Sequence, residues 1–153
     1  MAQNKSFNKS QMESNTDEEQ YVGLIPNTYK WAWYGLRQWF DLIVTNKRLV
    51  FIHVTELYSQ PGKYLDMEIN EILARDKNNF AVAISELRNF CFASGEEEIG
   101  TCGRSHLING EMKFETARSR YFFYIPVSQT ILARDSFKKA GLKVIKMDKP
   151  MLA

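Results

Sequence analysis

The stretch that most constrains the fold is FDLIVTNKRLVFIHVTEL, residues 40–57. β-branched and aromatic residues crowd both sides of Thr45-Asn46-Lys47-Arg48, the composition of a pleated, half-buried surface. Phe40, Leu42 and Val44 alternate with Asp41, Ile43 and Thr45. After the break, Leu49, Phe51 and His53 alternate with Val50, Ile52 and Val54. A period of two on each side of a short polar break predicts two antiparallel strands joined by a tight turn. Asn46 tolerates a left-handed backbone, and the Thr45 hydroxyl is placed to bond nearby amides.

The rest of the chain punctuates itself around this hairpin. Residues 1–19 are polar, rich in Asn, Ser and Gln, and aperiodic; they are expected to be a disordered tail. YVGLI, 21–25, is a short β-prone run that Pro26 and Asn27 should end. SQPGK, 59–63, breaks the second arm of the hairpin. Leu65, Ile69, Ile72 and Leu73 then fall on one helical face, predicting a short helix over 65–75. Phe80, Val82 and Ile84 return to alternation, and Phe90 and Phe92 continue a strand. SGEEEIGTCGRS, 94–105, reads as a loop, and 111–116 and 119–125 as paired strands. A final helix is expected after Ser128 as N-cap, with Gly141 past its end. Its inward face would hold Leu132, Ala133, Ser136, Phe137 and Ala140. Residues 143–153 read as a second tail. The pentapeptide ILARD occurs at 72–76 and 131–135 without flanking similarity, and is read as coincidence.

At 153 residues, one domain over 20–142 is expected. Mostly antiparallel strands, a short inserted helix and one terminal amphipathic helix describe a mainly β, α+β fold. The expected form is a partly open barrel whose end the last helix caps. LIVTNKRLVFI, 42–52, resembles the T-(N/D)-(K/R)-R-L hairpin of bacterial and archaeal pleckstrin-homology-like, or GRAM-like, domains. YLDMEINEIL and NNFAVAISELRNF, within 64–90, are similar to the segment that follows it there. The resemblance implies a seven-stranded, partly open barrel with a capping helix, in a family mostly of unknown function with some members that form rings or other oligomers. The helix at 65–75 departs from the simplest pleckstrin pattern.

Catalytic signatures are missing. His53 and His106 form no metal-binding pair, and Cys91 and Cys102 have no His or Cys at ligand spacing. There is no glycine-rich phosphate loop and no G-x-S-x-G. Cys102 with His106, or Glu96 to Glu98, would be weak catalytic candidates beside their plain reading as loop residues. A non-catalytic protein with no cofactor and no metal is expected. Two cysteines are no disulfide framework, so reduced thiols and a cytoplasmic location are expected. The opening residues hold no apolar run, so no signal peptide is expected, and LVFIHV is too short to span a membrane. A net charge of +2 gives no reason to expect nucleic acid. The C-terminal third, 111–153, is the basic part, with nine basic and four acidic residues.

The unusual segment is NTYKWAWYGLRQWF, 27–40, which holds all 3 tryptophans. Three readings compete. Its rings complete the core or cover the barrel mouth. Alternatively they form a contact for a partner protein or a second copy of the chain, since Trp, Tyr and Arg are enriched at binding hot spots. Or Lys30 and Arg37, with Lys47 and Arg48 nearby, meet an anionic membrane surface while the indoles sit at headgroup level. Each such charge contributes about 1 kcal/mol, so peripheral lipid binding would need avidity. The candidate partner- or lipid-binding residues are Lys30, Trp31, Trp33, Arg37, Trp39, Lys47 and Arg48. The function expected is an interaction module, with peripheral membrane binding as the alternative.

Overall fold

The structure, a computed structural model, describes residues 18–32, 35–54, 64, 66–99 and 105–145. The strands are β1 (Tyr21–Trp31), β2 (Arg37–Thr45), β3 (Arg48–His53), β4 (Phe80–Ala83), β5 (Arg88–Ala93), β6 (Glu96–Ile99), β7 (Ser105–Ile108), β8 (Gly110–Glu115), β9 (Arg120–Ile125) and β10 (Val144–Ile145). The helices are α1 (Ile69–Ala74) and α2 (Thr130–Lys139), with 3-10 turns at Ile84–Glu86 and Val127–Gln129. The main sheet runs β10-β5-β8-β9-β1-β2-β3-β4, and β6 pairs separately with β7. All ladders are antiparallel except β10 on β5. The sheet curls around one phenylalanine core without closing, so the fold is a partly open barrel with a short inserted helix and a C-terminal cap, as the hairpin and helix patterns predict.

The interior is built by strict alternation. Phe40, Phe51, Phe92, Phe114, Phe123 and Phe137 are all under 2% exposed. Phe51 is the hub: it stacks on Phe123 at 4.6 Å and Phe80 at 4.7 Å, and meets Phe40 edge-on at 6.1 Å. Offset and edge-on ring pairs add to the burial itself.

The Thr45 part of the predicted turn chemistry is present, but Asn46 is not left-handed; its side chain instead accepts from the Gln20 amide at 2.6 Å and donates to Glu18 O at 2.9 Å. The Thr45 hydroxyl accepts from the amides of Lys47 (3.1 Å) and Arg48 (2.9 Å). It also donates to Glu19 Oε2 at 2.8 Å. From Asp41 to Thr45 every residue of β2 is buried, because the strand is covered twice. Phe40, Leu42 and Val44 face the barrel, while Ile43 joins Val50, Ile52 and Ile72 in a second cluster beneath α1. That helix begins at Ile69, shorter than the 65–75 expected from the apolar spacing; Glu68 at its start is extended and makes no side-chain cap. It is held by packing of its apolar stripe, as short helices must be. After α1, His53 Nδ1 pairs with Asp76 Oδ2 at 3.1 Å and the His53 amide donates to Asn79 Oδ1 at 2.6 Å, fastening the connecting segment to β3.

Three further elements differ from expectation. First, β1 does not stop at Pro26-Asn27 but continues to Trp31. A register shift between Ile25 and Thr28 absorbs both residues, with Asn27 at φ 61°; a bulge is where a strand accepts a residue that cannot donate. Second, part of the predicted 94–105 loop is strand, since Glu96 to Ile99 pair with Ile108 to Ser105. The acidic run hid it, because backbone pairing needs no apolar alternation. Third, Leu132 does not face the core: it is 43% exposed and Ile131 66%. The Val127–Gln129 turn is 3-10, and the α-helix begins at Thr130 rather than just after Ser128. The inward stripe is therefore Thr130, Ala133, Ser136 and Phe137. Gly141, at φ +81°, ends the helix with Gly141 N to Lys138 O and Leu142 N to Phe137 O bonds, a Schellman motif. Phe137 plugs the barrel end against Phe90 and Phe92, each at 5.1 Å. Beyond the cap, Val144 and Ile145 pair with Phe92 and Ala93.

Candidate functional site

The aromatic segment is a β-hairpin, not a connecting loop. Cross-strand partners are Thr28 with Phe40, Tyr29 with Trp39, Lys30 with Gln38 and Trp31 with Arg37. Its tip is closed by Ala32 N to Leu36 O at 2.7 Å and Gly35 N to Ala32 O at 3.0 Å, with Gly35 at φ +83°. Alternation sends Tyr29, Trp31, Arg37 and Trp39 to the outer face, and Thr28, Lys30 and Phe40 inward.

On the outer face the Arg37 guanidinium carbon lies 4.7 Å from the Tyr29 ring, 5.0 Å from Trp31 and 5.8 Å from Trp39. Tyr29 is the centre. It packs on Trp39 at 4.8 Å, meets Trp31 edge-on at 6.1 Å, and stacks on Tyr124 of β9 at 5.2 Å. Its hydroxyl accepts from Asn109 Nδ2 at 2.9 Å, and Asn109 Oδ1 in turn accepts from the Val127 amide. The row continues through Phe122, 4.8 Å from Tyr124, to Lys113, whose Nζ sits 5.0 Å above the Phe122 ring. A ribbon of five rings thus crosses β2, β1 and β9, with a cation at each end. Tyr29 is buried, Trp39 and Tyr124 half-buried, Trp31 51% and Phe122 36% exposed. Burial, then the Glu111 carboxylate and Tyr29, push the Tyr124 phenol above its ordinary value, so the group stays a neutral hydroxyl. Leu36, at the hairpin tip, is 64% exposed.

The sequence-derived candidates separate into three places. Trp31, Arg37 and Trp39 come together on this face. Lys30 turns into the barrel mouth, half-buried, its Nζ 5.8 Å from Phe40 and 6.0 Å from both Phe80 and Phe123. Lys47 and Arg48 stand at the opposite end of β2, about 26 Å from Arg37 at the usual strand rise. They do not join one basic cluster with Lys30 and Arg37. Arg48 is also engaged: its Nε and Nη2 hold the Glu19 carboxylate at 2.8 and 2.9 Å. Trp33 lies outside the described residues. Tyr29, Phe122, Tyr124 and Lys113 are the members that sequence reasoning missed. Phe122 and Tyr124 alternate with the core residues Phe123 and Ile125, but only the pairing of Tyr29 with Tyr124 places them beside the tryptophans.

Among the described residues no three His, Cys, Asp or Glu side chains are grouped to hold a metal ion, and no helix is long and apolar enough to cross a membrane. No family model and no curated protein matches the chain. Among solved structures it is similar to the hSac2 domain from human phosphoinositide phosphatase Sac2. The TM-score is 0.53 and the identity 8%, over 94% of this chain and 93% of that one. At that identity the likeness is one of fold alone.

Proposed function

We propose that the protein is a non-catalytic interaction module, in the manner of the pleckstrin-homology-like domains its hairpin resembles, and that the aromatic ribbon makes its contact with another protein, a second copy of the chain first. The observation that carries this reading is Trp31: half its surface stays in solvent while Arg37 stacks beside it. Large rigid rings bury area at low entropy cost, and an arginine lying on them is already oriented. The test is light scattering on the wild type and on Trp31→Ala/Arg37→Ala, both substitutions at exposed positions. A wild-type mass above the monomer that falls to the monomer in the variant supports self-contact. A folded monomer in both cases ends it.

A second reading rests on the hairpin tip, where Trp31 and Leu36 are exposed beside Arg37. An apolar tip flanked by a cation suits the interface of an anionic bilayer. Co-sedimentation with anionic vesicles at low and high salt decides it, and binding that is absent or indifferent to salt removes it.

A further inference from the structure

Where β4 ends the sheet, a polar cleft of about 690 Å3 separates it from the turn that joins β8 to β9. Two arginines line it, Arg88 from the start of β5 and Arg118 from the turn. Neither has a carboxylate partner among the described residues. Arg88 lies opposite Glu115 in the ladder, yet Glu115 is taken by Arg120 Nε and Asn89 Nδ2, each at 3.3 Å. The ladder shifts register between Arg88 and Cys91, with Asn89 at φ 53°. Arg118 is held in place by its own turn. The Thr116 hydroxyl accepts from the amides of Arg118 and Ser119, each at 3.3 Å, and Thr116 N donates to Ser119 O at 2.8 Å. Arg48 and Arg120, by contrast, each hold a carboxylate.

We infer that this cleft binds a phosphate monoester, with Arg88 and Arg118 gripping the phosphate. Planar guanidinium groups match the paired oxygens of phosphate better than any other side chain. Ser85 and Ser119 line the same cleft, and their hydroxyls have no acceptor among the described residues, so they offer donors of the right kind. Against two cations the cleft sets one carboxylate, Glu86, leaving a net positive charge where the anion would sit. The volume exceeds what a bare phosphate fills and falls in the range of small-ligand sites. Val82 and Tyr121 supply an apolar wall for the organic group; Tyr121 is fixed by stacking on Phe114 at 4.8 Å. The site shares no residue with the aromatic ribbon, so the two proposals stand or fall separately.

The experiment is calorimetric titration of the full chain with inorganic phosphate, with a sugar phosphate, and with neutral vesicles carrying or lacking a phosphorylated headgroup. The sugar phosphate should bind more tightly than inorganic phosphate. Arg88→Gln and Arg118→Gln, at exposed positions that leave the core untouched, should each weaken it about tenfold, the worth of one charge-assisted contact. Glu86→Gln should tighten it, while Lys138→Gln, exposed on α2, should leave it unchanged. Binding confined to phosphorylated vesicles and lost with the same two arginines assigns the phosphate to a lipid headgroup. No binding of any phosphate probe, or equal losses in the Arg88, Arg118 and Lys138 variants, overturns the site.

Discussion

Replacing Thr45 by Val keeps the side-chain volume and removes one oxygen. That oxygen takes the Lys47 and Arg48 amides at 3.1 and 2.9 Å and gives its proton to the Glu19 carboxylate at 2.8 Å. Thr45 is 1% exposed, so water does not reach the position it would have to fill. Neutral bonds of this type contribute about 0.5–1.5 kcal/mol each, and one to a charged group about 1.5–3 kcal/mol. The turn amides can move toward water, and the Glu19 and Arg48 side chains are 25% and 26% exposed, which discounts the sum. The expected loss is about 2–3 kcal/mol, a fall of roughly 5–10 °C in midpoint for a chain of this size. Urea unfolding should show a lower midpoint at unchanged slope. Thr45→Ser, which keeps the hydroxyl, should lose less than half as much. Pairing Thr45→Val with Glu19→Ala should give less than additive losses, with a coupling of about 1 kcal/mol. A loss below about 0.5 kcal/mol for Thr45→Val, or a Thr45→Ser variant just as unstable, refutes the claim that this hydroxyl ties the residues before β1 to the first tight turn.

Three further outcomes follow. Burial pushes the Glu19 carboxyl up, but the Arg48 and Thr45 hydrogen bonds and the Arg48 and Lys47 charges outweigh it, so its pKa lies below the ordinary value. A lowered folded pKa gives stability that is present above the unfolded value and lost as pH falls through the folded one; urea midpoints of the wild type should therefore drop more steeply than those of Glu19→Gln below about pH 5. Phe51→Ala, at the centre of the ring cluster and 0% exposed, should cost about 3–5 kcal/mol by denaturant unfolding, and a loss under 1 kcal/mol would contradict the packing. A Cβ on Gly23 would strike the Ser136 side chain, so Gly23→Ala should lower the melting temperature by lifting α2 from β1, at about 1–3 kcal/mol; adding Ser136→Gly should recover part of it.

Much of this molecule was legible in its residues. A period of two around Thr45 to Arg48 demands paired strands, because only a pleated strand puts Phe40, Leu42 and Val44 on one side. The Thr45 hydroxyl holds the turn amides for a local reason, whereas the Asn46 side chain, read as a left-handed turn former, serves the residues before β1 instead. Gly141 ends a helix for an equally local reason. The failures were equally physical. Pro26 reads as a terminator, yet a bulge carries β1 past it. Glu96 to Ile99 lacks alternation, yet backbone bonds alone make a strand of it. The helix phase that exposes Leu132 depends on a 3-10 turn that caps do not reveal. Charges defeat sequence reasoning most directly. Lys30, Arg37 and Arg48 look like one basic group over nineteen residues, but strand alternation turns Lys30 inward, strand length carries Arg48 to the far end, and Glu19 neutralises it. Whether a tryptophan is core or surface depends on which strands lie beside it. Tyr124 and Phe122 reach the tryptophans only because β9 pairs with β1 across almost a hundred residues of chain. Local chemistry thus determined the strands on either side of Thr45–Arg48, the Thr45 bonds of their turn and the end of the last helix. Long-range pairing and packing, which no local pattern encodes, decided which faces stay open.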